Sequence, residues 1–287
     1  MRININTRVS VHMIDSSPPI DQPAARLHAV RKRPRFQMTR TVMALMLREI
    51  ATTYGRSAGG YFWAIIEPVL GIALLSVIFS LALRSPGLGT NFALFYASGY
   101  LPFAMTLQTI NKVGQSVRFS RPFMAYPCVT FMDALVARLL LNALTNVVVM
   151  AVVLFGIMVI FGLPIWADLG SLAMSISLAM LLASGIGTLN CYMMTSFPIY
   201  EQIWAIATRP LFIISAVFFT FETLPAVARD ILWYNPLVHI VGLMRRGLYP
   251  TYDGEYISPL FVTLVGGITL FFGLLLLSRH FKQLMEA

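Results

Sequence analysis

The run at residues 61–83 constrains the fold more than any other stretch of the chain. It opens Tyr61-Phe62-Trp63-Ala64-Ile65-Ile66-Glu67-Pro68, and Glu67 is its single charge. About 20 such residues in a helix cross a hydrocarbon layer of roughly 30 Å. The aromatic cluster at its start suits a membrane interface, where Tyr and Trp anchor. Glu67 and Pro68 are the two residues such a helix should avoid, so both need a reason.

The rest of the chain agrees with a membrane setting. Of its 287 residues 57% are hydrophobic and 11% charged, whereas soluble domains carry about 25% charged residues. The expected class is an all-α integral membrane protein. Six spans are predicted, at about 61–83, 92–110, 137–161, 169–195, 203–221 and 257–278. The fourth is rich in small residues (Ser184, Gly185, Gly187) that let helices approach closely. Ahead of the spans, Met43, Met46, Leu47, Ile50 and Tyr54 recur at helical spacing, while Arg48, Glu49 and Thr52 lie mostly elsewhere around the wheel. This predicts an amphipathic interface helix over 38–54, with Arg40 near its start, lying in the membrane surface. A soluble helix packed on a partner is the alternative. Gly55, Gly59 and Gly60 supply a turn into the first span. Residues 1–37, rich in Pro and Arg, are expected to form a cytosolic tail, and 38–285 the membrane domain.

Charge distribution sets the expected topology. The net charge is +9, and ten of the 21 Lys and Arg precede Tyr61. With the N-terminus inside, cytosolic segments hold sixteen of these cations and outer segments four, with Arg209 inside a span. That asymmetry predicts both termini on the cytosolic side. The basic arm also suits anionic lipid headgroups, and nucleic acid is not an expected partner. The first 60 residues lack the apolar core of a cleavable signal, so none is expected. Cys128 and Cys191 show no metal-ligand spacing and read as free thiols.

Neither enzymatic chemistry nor nucleotide hydrolysis is encoded. The four histidines (His12, His28, His239, His280) form no HExxH, and no metal site is expected. None of the three lysines, Lys32, Lys112 and Lys282, follows a glycine, so the GxxxxGK[ST] phosphate loop is missing. An energised function therefore needs a partner.

Ionisable residues within spans are costly and mark function. Two stand out, each followed by proline: Glu67-Pro68 and Arg209-Pro210. Both lie about six residues into their spans, roughly 9 Å deep at 1.5 Å per residue. Matching depth predicts an ion pair along a channel, within one subunit or between two copies; the alternative is that each snorkels to headgroups. Each proline also frees a carbonyl one turn back, at Ala64 and Ile206. Aromatic residues crowd the span ends, among them Tyr61, Trp63, Phe95, Tyr96, Tyr100, Trp233 and Tyr234. They read as an interface belt or as a channel surface on which sugar rings stack. The apolar but interrupted segment 222–255 is too short to cross the membrane twice, which predicts a pair of short re-entrant helices.

These features together resemble the ABC-2-type exporter membrane subunits, specifically the capsular polysaccharide and O-antigen export permeases. The resemblance covers about 36–285. It is carried by Arg48-Glu49, by Tyr54-Gly55-Arg56-Ser57-Ala58-Gly59-Gly60-Tyr61-Phe62-Trp63-Ala64 with Glu67-Pro68, and by the basic Phe/Pro loop 118–131. Tyr234-Asn235-Pro236-Leu237-Val238-His239 and Arg245-Arg246 complete it. It implies a homodimer of six-span subunits in the bacterial inner membrane, bound to two copies of an ATPase that holds the ATP and Mg, with no cofactor on this chain. Arg118, Arg121, Phe123, Tyr126 and Phe131 would form the coupling element seated in that ATPase. The substrate would be a lipid-linked polysaccharide, handed to periplasmic and outer-membrane export components. A permease for teichoic acid or a drug is the alternative within the family, and a secondary transporter or polytopic enzyme the alternative outside it.

Overall fold

The computed structural model describes residues 37–53, 60–124, 129–164 and 167–286. The tail at 1–36, Tyr126, Cys128 and the side chain of Tyr61 lie outside this description. Among the described residues the chain is helical, with no strand. The first helix, α1 (Gln37–Thr53), is followed by α2 (Gly60–Ala82), α3 (Phe92–Gly114), the short α4 (Ser116–Met124) and α5 (Phe131–Ile160). Then come α6 (Leu169–Ser196), α7 (Pro198–Thr208), the four-residue α8 (Leu211–Ile214), α9 (Ala226–Leu232), α10 (Pro236–Leu248) and α11 (Pro259–Glu286).

Four helices are long and apolar enough to cross a membrane: Phe62–Ala82, Phe131–Ile160, Leu169–Ser196 and Pro259–Phe281. Helix α3 has 23 residues, about 34 Å at 1.5 Å per residue, but Gln108, Asn111 and Lys112 make its last turns polar. The fifth predicted span, 203–221, is not one helix. Pro210 has no N–H, and its ring crowds the carbonyl of Ile206. The ladder therefore stops at Thr208, and the freed Ile206 carbonyl instead accepts the N–H of Arg209 at 3.3 Å, a tighter turn. Beyond α8 the chain bends through Ala216, buried in the left-handed region at φ 58°, an uncommon conformation for a residue with a Cβ.

The body is built on α6, which packs against α3, α10 and α11. With lipid outside there is little hydrophobic drive between helices, so close backbone approach supplies the packing. A Cβ on Gly185 would strike the carbonyl of Gly266 and the hydroxyl of Thr269, and one on Gly187 would meet Val113 of α3. The predicted re-entrant segment is the pair α9 and α10. Nearly all of α10 is buried, with Asn235 capping it by accepting the N–H of Leu237. By contrast α2 leaves Leu70, Leu74, Val77, Ile78 and Leu81 exposed, and α7 and α8 bury no residue.

Candidate functional site

Two features carry the chemistry of this chain, and both lie at the end of the bundle where α1 and α4 meet. The first is an assembly around α4. Thr130 and Asp133 form a capping box that starts α5 immediately after the 118–131 loop. Such reciprocal bonds satisfy donors that a helix start leaves orphaned. One turn on, Arg138 is almost fully buried, donates to the carbonyl of Lys112 at 2.8 Å, and lies 3.3 Å from Glu49 of α1. That approach brings Arg138 Nε to a Glu49 carboxylate oxygen without hydrogen-bond alignment, so it is a charge contact. The guanidinium of Arg138 also stands 4.1 Å from the Phe119 ring, and Arg48 lies 5.0 Å from the same ring and 3.6 Å from that of Phe123. Cations over aromatic faces attract through the ring quadrupole.

The face of α1 carrying Glu49 is therefore turned to protein rather than to water. Val42 and Glu49, seven residues apart, are its buried positions, while Met43 and Leu47 of the apolar stripe are exposed. Glu49, expected to lie off the apolar stripe, is thus a buried position of the helix. Arg40 is exposed.

Helix α4 reaches a second element through Arg118, which ion-pairs with Glu201 of α7 and donates to the carbonyl of Met194. Two further polar bonds hold α7: Tyr200 donates to Asn190 at 2.9 Å, and Trp204 Nε1 to Asn111 at 2.8 Å. Of the other residues expected in the coupling element, Arg121 is exposed at the tip of α4. Phe131 packs on Phe281 with ring centres 5.1 Å apart.

The second feature is a polar cleft of about 390 Å³ between α2, α3 and α5. Each helix gives it a stripe spaced three and four residues apart: Trp63, Ala64 and Glu67; Gln108, Asn111 and Lys112; Asn142, Thr145 and Asn146. Asn142 and Asn146 donate their amides to carbonyls one turn back, of Arg138 at 2.7 Å and Asn142 at 2.9 Å, which leaves their Oδ1 atoms as acceptors. Further along α2 and α5 lies a second, apolar recess of about 410 Å³, lined by Val69, Ile72, Val152 and Gly156 among others.

Glu67 thus has a polar setting, but not the one expected inside a subunit. Glu67 and Arg209 are both exposed, and the ion pairs among the described residues are those of Arg118 with Glu201 and Arg138 with Glu49. Phe95 and Tyr96 also depart from expectation. They are 1% and 0% exposed, because the buried Arg245 guanidinium sits 4.5 Å from the Phe95 ring and Phe79 covers Tyr96 at 5.1 Å. Neither faces lipid or a channel in this subunit. Tyr100 is half-buried against Phe212, Trp63 and Tyr234 are exposed, and Trp233 donates to the carbonyl of Tyr256 at 3.1 Å. Sequence reasoning missed Arg138, Phe119, Glu201 and the Asn142/Asn146 stripe. The last was detectable as polar residues at helical spacing inside an apolar run.

Apolar helices long enough to cross a membrane, with a short basic helix clasped at one end, define a helical membrane body. The chain belongs to the ABC-2 type transporter family, whose pattern matches residues 40–249. It is 30% identical over 236 residues to the polysialic acid transport protein KpsM of Escherichia coli, covering 82% of this chain and 92% of that one. It is 25% identical over 244 residues to the capsule polysaccharide export inner-membrane protein CtrC of Neisseria meningitidis, covering 85% and 92%. The capsule polysaccharide export inner-membrane protein BexB of Haemophilus influenzae is 24% identical over 243 residues, covering 85% and 92%.

Proposed function

We propose that this chain is the inner-membrane permease of an ABC exporter that moves a lipid-linked polysaccharide, a capsular polysaccharide or O-antigen, out of the cytoplasm. The observation that carries this reading is that relatives named for capsule or polysialic acid export align with it over 92% of their own length. A separate ATPase supplies the energy, and α4 with Arg118, Arg121 and Phe123 is its docking element. Both termini then face the cytosol. Helix α3 and the broken α7/α8 element complete six crossings.

Two copies form the channel. The sparsely buried α2 and the unburied α7 and α8 are the surfaces that a second copy would cover. Glu67 and Arg209 are free to pair across that contact. Deleting the gene in its host and restoring it beside its ATPase tests the reading. Surface polysaccharide should disappear, accumulate inside the cell and return. Unchanged surface polysaccharide in the deletion strain overturns it.

A further inference from the structure

We infer that the groove between α2 and α5 binds the lipid-anchored end of the exported glycan, with a sugar in the polar cleft and an alkyl chain in the apolar half. The inference rests on the export reading above and assigns the site where that substrate is first held. The chemistry follows from the order of residues along the two helices. On α5, Asn142 and Asn146 give way within two turns to Val152 and Gly156; on α2, Trp63 and Glu67 give way to Val69 and Ile72. Along these two helices the lining therefore changes from polar in one recess to apolar in the next, the order of a sugar and its alkyl anchor.

The polar half matches a sugar rather than a bare charge. The carboxamide oxygens of Asn142 and Asn146 accept, and the amide of Asn111 still donates because its oxygen takes Trp204. Gln108 and the Lys112 ammonium hydrogen-bond to no group among the described residues of the chain, and both belong to the same wall. Gln108, Asn111 and Lys112 are exposed on this wall, so donors and acceptors stand together where a hydroxyl-rich ligand can bridge them. Trp63 at the rim offers the flat face on which such a ring stacks. A volume of about 390 Å³ lies at the small end of the range for ligand pockets, about 300–1,000 Å³, and suits a terminal sugar rather than a length of polymer. The apolar half runs about 12 Å along α5 from Val152 to Ile160 at 1.5 Å per residue, and it is open along its side.

The test uses the complete transporter in nanodiscs, with Cys128 and Cys191 replaced by Ala and a reporter thiol at the cleft wall, Thr145→Cys. Three probes are compared below the micellar concentration: dodecyl maltoside, maltose, and dodecylphosphocholine. The inference expects dodecyl maltoside to slow thiol labelling at least fivefold, and neither maltose nor dodecylphosphocholine to do so. Equal protection by dodecylphosphocholine would make the groove an ordinary lipid site. Equal protection by maltose would make it a sugar site without an anchor. No protection would empty it of ligand. Each of those three results overturns the inference.

A paired measurement separates this from the export reading. The double variant Asn142→Leu with Asn146→Leu removes polar groups from a span, so assembly with the ATPase should persist while surface polysaccharide falls at least tenfold. Full export by that variant sinks the groove and leaves the export reading intact. Absence of export by the unmodified transporter sinks the export reading and leaves the labelling result standing.

Discussion

Glu49 of the surface helix and Arg138 of the third predicted span form a buried ion pair, their side chains 7% and 5% exposed and their charged atoms 3.3 Å apart. A helix expected to float at the interface is thus fixed to the membrane body. The same guanidinium holds the Lys112 carbonyl and covers Phe119 of α4. Helices α1, α3, α4 and α5 therefore meet at one side chain, which ties the proposed ATPase-docking element to the span beside the polar cleft.

Breaking this pair should be costly, because removing one partner strands the other charge without water. The loss for such pairs is about 3–5 kcal/mol. Glu49→Ala should lower the melting temperature of the purified protein markedly, and adding Arg138→Met should recover most of the loss, since no lone buried charge then remains. A Glu49→Ala protein that melts with the wild type would show that the contact carries no weight.

The ion pair of Arg118 with Glu201 should behave in the opposite way. Its side chains are 40% and 41% exposed, and pairs of that kind are worth about 0.2–1 kcal/mol. Glu201→Gln should leave the melting temperature nearly unchanged. If the pair transmits motion from α4 to α7, the same variant should lower polysaccharide exported per ATP hydrolysed, with ATPase binding preserved. Unaltered export per ATP would reduce this contact to surface decoration.

Much of this architecture could be read from sequence, and the exceptions share a cause. The apolar runs over 61–83, 137–161 and 169–195 reappear as α2, α5 and α6 with ends shifted by a few residues, because hydropathy and length act locally. The short α9 and α10 pair was legible from apolar sequence interrupted by Asn235-Pro236. The break at Arg209-Pro210 was visible as a proline, but hydropathy does not report whether a helix continues through one. It continues through Pro68 of α2 and stops at Pro210. What could not be read is which face of a helix meets which neighbour. Glu49 lay off the apolar stripe and is buried, Phe95 and Tyr96 read as belt or channel residues and lie in the core, and the three stripes of the polar cleft acquire meaning only once α2, α3 and α5 converge.

Asp168 provides a pH handle at the start of α6. Its carboxylate accepts from the Gly170 N–H at 3.0 Å and from the Ser171 hydroxyl at 2.6 Å. The Ser171 bond, then the Gly170 bond, holds its pKa below the ordinary 3.8. A depressed carboxylate pKa contributes stability that is present above the unfolded value and is lost as pH falls through the folded one. Asp168→Asn keeps an N-cap acceptor without a titrating proton. The wild-type melting temperature should therefore fall faster than the variant's as pH drops below about 4. Parallel pH profiles would remove Asp168 from the acid response.

The packing of α6 on α11 makes the sharpest prediction about the fold, because two glycines of similar hydropathy should respond in opposite ways. At Gly185 a methyl group would overlap the Thr269 hydroxyl and the backbone carbonyl of Gly266 on the facing helix, and that carbonyl cannot swing aside. At Gly156 on α5 a methyl group meets nothing within 4 Å. Overpacking of this kind costs about 1–3 kcal/mol, whereas Ala for Gly in an open helix interior gains about 0.5–1 kcal/mol by restricting the unfolded chain. Gly185→Ala should thus lower the melting temperature and push α11 outward, detectable as altered spacing between spin labels on α6 and α11. Gly156→Ala should be neutral or stabilising. If both substitutions were tolerated equally, the two helices would not be in backbone contact, and the arrangement of α3, α10 and α11 around α6 would need to be redrawn.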